Sequence, residues 1–136
     1  VHGPAAALSE ADIVGFARAY DPQWFHVDRE RAAASRWQGL IASGWQTCGI
    51  AMRLANEAAL EGSGSFGSPG LEYLKWPEAV RPGDMLMLHA HVLEVRRSKR
   101  NPGLGILRWR WEVVNQRGAV VLDTVATNLF DLDAAP

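Results

Sequence analysis

Cysteine is nearly absent from this chain: Cys48 is the one thiol in 136 residues. A single thiol forms no intrachain disulfide and builds no cysteine-based metal site. Long apolar runs are missing too, and no window approaches the roughly 18 consecutive apolar residues of a membrane span. The N-terminus has no basic stretch leading into an apolar one, so it does not read as a signal peptide, and the expected location is cytoplasmic. Nor is there an excess of either charge. Fourteen Lys and Arg face fifteen Asp and Glu, for a formal net charge of −1. That balance gives no global attraction to nucleic acid or to an anionic membrane, and neither is expected as a partner. It also protects poorly against self-association. Gly62, Gly64, Gly67 and Gly70 punctuate one segment, but their spacing is not a phosphate-binding fingerprint after a strand. With no internal repeat and no linker, residues 1–136 are expected to form a single domain.

What remains is 48% hydrophobic and 21% charged, a globular composition with enough length for a real core. The first half reads as helical. Ser9 and Asp12 make a capping-box-like pair ahead of Ile13, Phe16 and Ala17, which predicts a helix over residues 9–20. Asp21-Pro22 ends it, because the residue before proline is pushed out of the helical region. The segment from Asp21 to His26 is therefore expected in an ordered turn and not on a helix. A short helical turn follows near 29–35, and Gly39 breaks the pattern. Ser43 caps a second long helix expected over 43–60, with Trp45, Cys48, Ile50, Met52, Leu54, Ala55 and Ala58 on its surface. So apolar a helix is usually central, and Cys48 is expected in the core. Gly49, Ala51 and Ala55 permit close approach of another layer.

The second half reads as strands. Residues 62–70, with four glycines and Pro69, are expected to be a loop. Residues 71–76 form a short extended segment, and Pro82-Gly83-Asp84 a turn. Strands are expected over 85–95, 106–114 and 119–130, with a turn at Asn115-Gln116-Arg117-Gly118. Leu107, Trp109, Trp111 and Val113 share one strand face and Arg108, Arg110 and Glu112 the other, which suits an antiparallel sheet with one buried side. It also places the tryptophans opposite the arginines, against a nucleic-acid stacking surface. The fold class expected is α+β, with the helix over 43–60 packed across a curved sheet.

The chemistry-bearing stretch is Asp21-Pro22-Gln23-Trp24-Phe25-His26-Val27-Asp28. An imidazole exchanges protons near neutral pH, and a carboxylate can orient it or share in activating water. The same two residues also suit a turn cap and a structural histidine. Ser43 and Gly44 open the second helix, where free N–H groups can hold an oxyanion and glycine admits a carbonyl close to the backbone. Serine as a cap and glycine as a relief of crowding explain them equally well. Arg96, Arg97, Lys99 and Arg100 form a basic run that suits substrate phosphates or a solvated hairpin tip. His2, His89 and His91 compose no metal set, and no metal is expected.

Phe16 through Asp28, then Ala32, then Gly39-Leu40-Ile41-Ala42-Ser43-Gly44, resemble the MaoC-like dehydratases, above all the (R)-specific enoyl-CoA hydratases. Pro82-Gly83-Asp84 and Asn115-Gln116-Arg117-Gly118 fit the same pattern, and the resemblance runs from about residue 9 onward. It implies a hotdog fold, an antiparallel curved sheet wrapped around a central apolar helix. The usual first strand of that fold has little to represent it before Ser9 beyond Pro4 to Leu8. By this resemblance Asp21 and His26 are the catalytic pair that holds the added water, Gly44 N–H polarises the thioester carbonyl, and Ser43 belongs to the pocket or cap. The implied activity converts a trans-2-enoyl-CoA to an (R)-3-hydroxyacyl-CoA in fatty-acid metabolism, in a homodimer. It needs no cofactor; coenzyme A is carried by the substrate, with its acyl chain in an apolar pocket. Gln23, Trp24 and Phe25 stand where the family has Asn, Pro and an aliphatic residue, and are expected near the substrate. Arg96, Arg97, Lys99 and Arg100 are candidates for the nucleotide phosphates. A hotdog acyl-CoA thioesterase, and a non-catalytic acyl-thioester-binding or structural subunit, are the alternatives.

Overall fold

In the computed structural model, which describes residues 3–133, helices occupy the first half and strands the second. Helix α1 (Glu10–Tyr20) starts as expected: Ser9 Oγ accepts from Asp12 N–H at 3.1 Å, and Asp12 accepts from Ser9 N–H at 3.0 Å. Asp21 closes it, donating its N–H to Ala17 O at 2.8 Å. Two short helices follow, α2 (Trp24–Val27) and α3 (Arg29–Ala33), the second capped by Asp28. His26 therefore sits on a short helix rather than in the non-helical ordered turn expected. Four residues hold no helix alone; this one is fixed by the burial of His26 and by Ile41 N–H donating to Phe25 O at 3.2 Å.

Helix α4 (Gly44–Ala55), capped by Ser43, carries on as a π-helical turn over Asn56–Leu60, so the expected helix over 43–60 is present but rewound at its end. Its orientation departs from a count of apolar residues. Gln46, Thr47, Ala51, Leu54 and Ala55 are buried, whereas Trp45 is 59% exposed and Met52 44%. Cys48 is half-buried at the margin of the core rather than inside it. The small residues Ala51 and Ala55 face inward as anticipated; Gly49 faces open space.

Strands β1 (Ala6–Ala7), β2 (Ser65–Lys75), β3 (Met85–Arg97), β4 (Leu104–Val114) and β5 (Val120–Asp131) form one sheet of five in the order β1-β3-β4-β5-β2. Every neighbouring pair is antiparallel. The first strand is present but only two residues long. The glycine-rich segment expected as a loop is mostly strand: β2 pairs with β5 from Ser65 onward, with register shifts between Ser65 and Gly67 and between Gly67 and Gly70. A sheet edge tolerates proline, and bulges accommodate glycines, so main-chain pairing prevails over composition there. The inner face of the sheet presents Leu86, Leu88, Trp109, Trp111, Val113 and Leu122 to α4 in one core with Ile13 and Leu54. Trp109 and Trp111 pack edge to face, centroids 5.4 Å apart, and Trp109 donates to Asn128 Oδ1 at 2.8 Å. The outer face is polar, with Arg108 on Glu72 and Arg110 on Asp123. This is the hotdog arrangement. Among the described residues no helix is long and apolar enough to cross a membrane.

The Pro82-Gly83-Asp84 turn locks the start of β3. Asp84, 3% exposed, accepts from Arg81 N–H at 2.9 Å and from Gln116 Nε2 at 2.9 Å, tying this turn to the one between β4 and β5. Gly83 has φ of +88°, which a side chain would strain. Asp84→Ala leaves two donors without an acceptor, and the expected loss is about 2–3 kcal/mol of unfolding free energy. Urea melts of the two proteins measure it; a difference within about 0.5 kcal/mol would contradict the role given to Asp84.

Candidate active site

Two stretches of chain, residues 21–26 and 40–44, converge on one carboxylate. Asp21 stands where α1 ends, with φ of −153° and ψ of 70°, so its side chain turns away from the helix axis. Residues 40–42 run buried beneath it, pinned by Ala42 N–H to Val80 O at 2.8 Å. Ser43 is extended, φ −60° and ψ 135°, and sets the direction in which α4 departs.

His26 Nε2 lies 3.1 Å from Asp21 Oδ2, and the histidine is almost wholly buried. His26 Nδ1 faces Ile41 O at 2.7 Å. A carbonyl oxygen accepts only, so this contact assigns a hydrogen to Nδ1 and aims Nε2 at the carboxylate. Asp21 Oδ1 accepts from Gln23 Nε2 at 2.8 Å, and Oδ2 accepts from Ser43 Oγ at 2.7 Å. Burial pushes the Asp21 carboxyl up, but the hydrogen bonds from Gln23 and Ser43 and the neighbouring His26 outweigh it and hold it below its ordinary value.

The pair opens onto a cleft of about 350 Å³, lined by Gln23, Phe25, Trp37, Gly44, Thr47, Trp76 and Val80 among others. Gly44 is the first residue of α4, where backbone N–H groups have no partner within the helix. Trp76 lies flat against it: a Cβ on Gly44 would fall 2.4 Å from the indole ring. Glycine is thus required there by packing, whatever else its N–H does. Trp45 meets Trp76 edge to face at 5.3 Å and completes an aromatic rim. The wall is apolar, the acid–base pair lies at its base, and a helix start borders it. Such a cleft can take a proton from water and stabilise negative charge developing on a carbonyl oxygen. Among the described residues no group of three His, Cys, Asp or Glu side chains is arranged to hold a metal ion.

The expected site residues divide into those the fold gathers and those it does not. Asp21, Gln23, Phe25, His26 and Gly44 line the cleft. Ser43 lies behind it, fully buried against Asp21. Trp24 does not line the cleft; its ring stacks under the Arg31 guanidinium at 4.3 Å. Arg96, Arg97, Lys99 and Arg100 do not line this cleft. They lie at the far end of β3 and in the hairpin beyond, where Arg96 pairs with Glu94 at 3.0 Å and Arg97 donates to Pro102 O at 3.0 Å. His91 pairs on the outer sheet face with Glu112 at 3.6 Å, and His2 lies outside the described residues. Sequence reasoning missed Trp37, Trp76, Val80 and the Ile41 carbonyl. The first three reach the cleft only through tertiary packing, and a main-chain carbonyl has no residue signature.

The pH dependence of stability follows from Asp21. A carboxyl held low in the folded state contributes stability that is present above its unfolded value, about 3.9, and lost as pH falls through the folded value. Asp21→Asn should therefore be less stable than the parent at neutral pH, with the gap closing below pH ~4. Thermal melts from pH 7 down to pH 3 check this; a gap independent of pH would contradict it.

The profile of the MaoC like domain matches residues 2–108 of this chain. The uncharacterized protein YdeM of Bacillus subtilis (strain 168) is 35% identical over 116 residues, covering 85% of this chain and 81% of that protein. Among solved structures, the MaoC-like dehydratase from Rhodospirillum rubrum superposes with a TM-score of 0.88 at 36% identity, covering 98% of this chain and 91% of that one. The R-hydratase PhaJ1 from Pseudomonas aeruginosa, in its unliganded form, superposes with a TM-score of 0.76 at 25% identity, covering 100% and 86%. A profile match across most of the chain, joined to a hotdog sheet shared with these structures, shows that this chain belongs to the MaoC-like dehydratase family.

Proposed function

We propose that the protein hydrates trans-2-enoyl-CoA thioesters to (R)-3-hydroxyacyl-CoA and catalyses the reverse dehydration. The observation that carries this reading is the contact of His26 Nε2 with Asp21 Oδ2 at 3.1 Å, at the base of a cleft that Gly44 also lines. In the forward direction a water hydrogen-bonded to the pair loses one proton to it as its oxygen bonds to C3. The C2=C3 electrons move toward the thioester carbonyl, whose oxygen takes up negative charge facing the Gly44 N–H. The proton held by the pair then goes to C2, the carbonyl re-forms and the pair returns to its starting state. One water is consumed and no electrons leave the substrate, so the reaction as written calls for no electron carrier.

The acyl chain has room beyond the thioester. Cys48, Ala51 and Met52 of α4, with Leu71, Leu74, Trp111 and Leu122 of the sheet, line a second, apolar cavity of about 180 Å³. Both cavities open along α4, whose rise of about 1.5 Å per residue separates Gly44 from Ala51 by roughly 10 Å. We also read the working form as a homodimer: Trp45, Met52, Leu71 and Trp76 stay exposed near these cavities, and a second copy would cover them.

A product-resolved assay with trans-2-enoyl-CoA substrates of several chain lengths tests the activity. Formation of (R)-3-hydroxyacyl-CoA is expected; release of free thiol without a hydroxyacyl product would establish a thioesterase instead. Asp21→Asn and His26→Ala should each lower kcat by ~10²–10⁴-fold with the fold retained. Near-parental turnover in both folded variants would overturn the assignment.

A further inference from the structure

Ser43 is a polar residue with 0% exposure behind the cleft, and its hydroxyl is used twice. Oγ accepts from Trp45 N–H at 3.3 Å, which caps α4. Its own hydrogen goes to Asp21 Oδ2 at 2.7 Å. The helix start is thereby joined to the carboxylate through one side chain. That same Oδ2 faces His26 Nε2 at 3.1 Å, while Nδ1 is committed to the Ile41 carbonyl at 2.7 Å.

These contacts restrict where the proton of the pair can reside. A hydrogen on Oδ2, aimed at Nε2, would leave Ser43 donating to a carboxylic acid hydroxyl, a weaker acceptor than a carboxylate oxygen. A hydrogen on Nε2 leaves Oδ2 an anionic oxygen that accepts from both Ser43 and His26, with both ring nitrogens donating. We propose that Ser43 is a positioning residue that, by donating to Oδ2, keeps Asp21 as the carboxylate and the proton of the pair on His26. Asp21 is then the member ready to receive a proton from the incoming water, and His26 the member ready to give one up. The catalytic consequence rests on the hydration reading above; the effect on the ionisation of Asp21 does not. His26 on α2 is the titratable neighbour in contact with Asp21, Gln23 and Ser43 are uncharged donors, and Glu78 is the other ionisable side chain lining the cleft.

A serine that only caps α4 would have no such effect, and substitutions separate the two roles. Glycine is nearly as good an N-cap as serine but has no hydroxyl, whereas threonine keeps both functions. The experiment is a ¹³C carboxyl NMR titration of Asp21 in the ligand-free protein and in its Ser43→Gly, Ser43→Ala and Ser43→Thr variants. Thermal melts confirm folding of each. Asp21 in the parent should titrate below ordinary aspartate; Ser43→Gly and Ser43→Ala should both move it to higher pH, and Ser43→Thr should keep it near the parent. In the hydration assay Ser43→Gly should lower kcat at least about ten-fold, shift the acid limb of the pH profile the same way and leave KM within about two-fold. An unchanged Asp21 titration in the folded glycine and alanine variants would overturn the proposal and leave Ser43 as a cap. The expected titration shifts in a protein without hydratase activity would uphold the hold on Asp21 while refuting the hydration reading.

Discussion

A carboxylate taken largely out of water must recover its lost solvation from nearby donors, and Asp21 draws them from two separate stretches of chain. Gln23, the N-cap of α2, and His26 within that helix reach it from one stretch, and Ser43 reaches it from the start of α4. The two stretches are far apart in sequence. The site forms where one anion joins two chain segments, and each segment is in turn fixed by the fold. Pro22 ends α1, the Ile41 carbonyl orients the imidazole, and Ala42 pairs with Val80 across the cleft.

The sheet supplies the counterpart. Its inner face of Leu, Val and Trp side chains holds α4 through small and aliphatic residues, Ala51, Leu54 and Ala55. The helix can then present its first residue to the cleft while its polar Gln46 and Thr47 are buried. Gln46 donates to Asp12 O at 3.0 Å, linking α4 back to α1. The cleft is thus bounded by the start of α4 and residues 41–42 at its base and by Trp45 and Trp76 at its rim. In such surroundings hydrogen bonds aimed at developing charge act more strongly than they would in solvent.

Local signals in the sequence were read well where the structure is local. The Ser9–Asp12 capping box, the stop at Asp21-Pro22, the cap at Ser43 and the alternation along β4 each reflect contacts within a few residues or a strict side-chain period. The resemblance added the pairing of Asp21 with His26, which a spacing of five could not imply alone. Features set by distant partners were misread. Ser65–Gly70 joins β2 because β5 offers it main-chain partners, and no side-chain pattern announces that. Trp45 and Met52 look like core residues on a helix so rich in apolar side chains, yet they face outward. Trp24 stacks under Arg31 and does not line the cleft, and Ser43 serves Asp21 as well as its own helix; both depend on tertiary neighbours.

Whether Asp21 and His26 act as one chemical unit is the point on which the account turns, and a double-mutant cycle measures it. Enoyl-CoA hydration is compared for the parent, Asp21→Asn, His26→Ala and the double variant, with folding verified for each. Groups that pass one proton between them are lost together, so the double variant should be no slower, within about three-fold, than the slower single variant. Rate losses that multiply, with the double variant slower by the product of the two single effects, would show independent contributions and contradict a shared-proton pair.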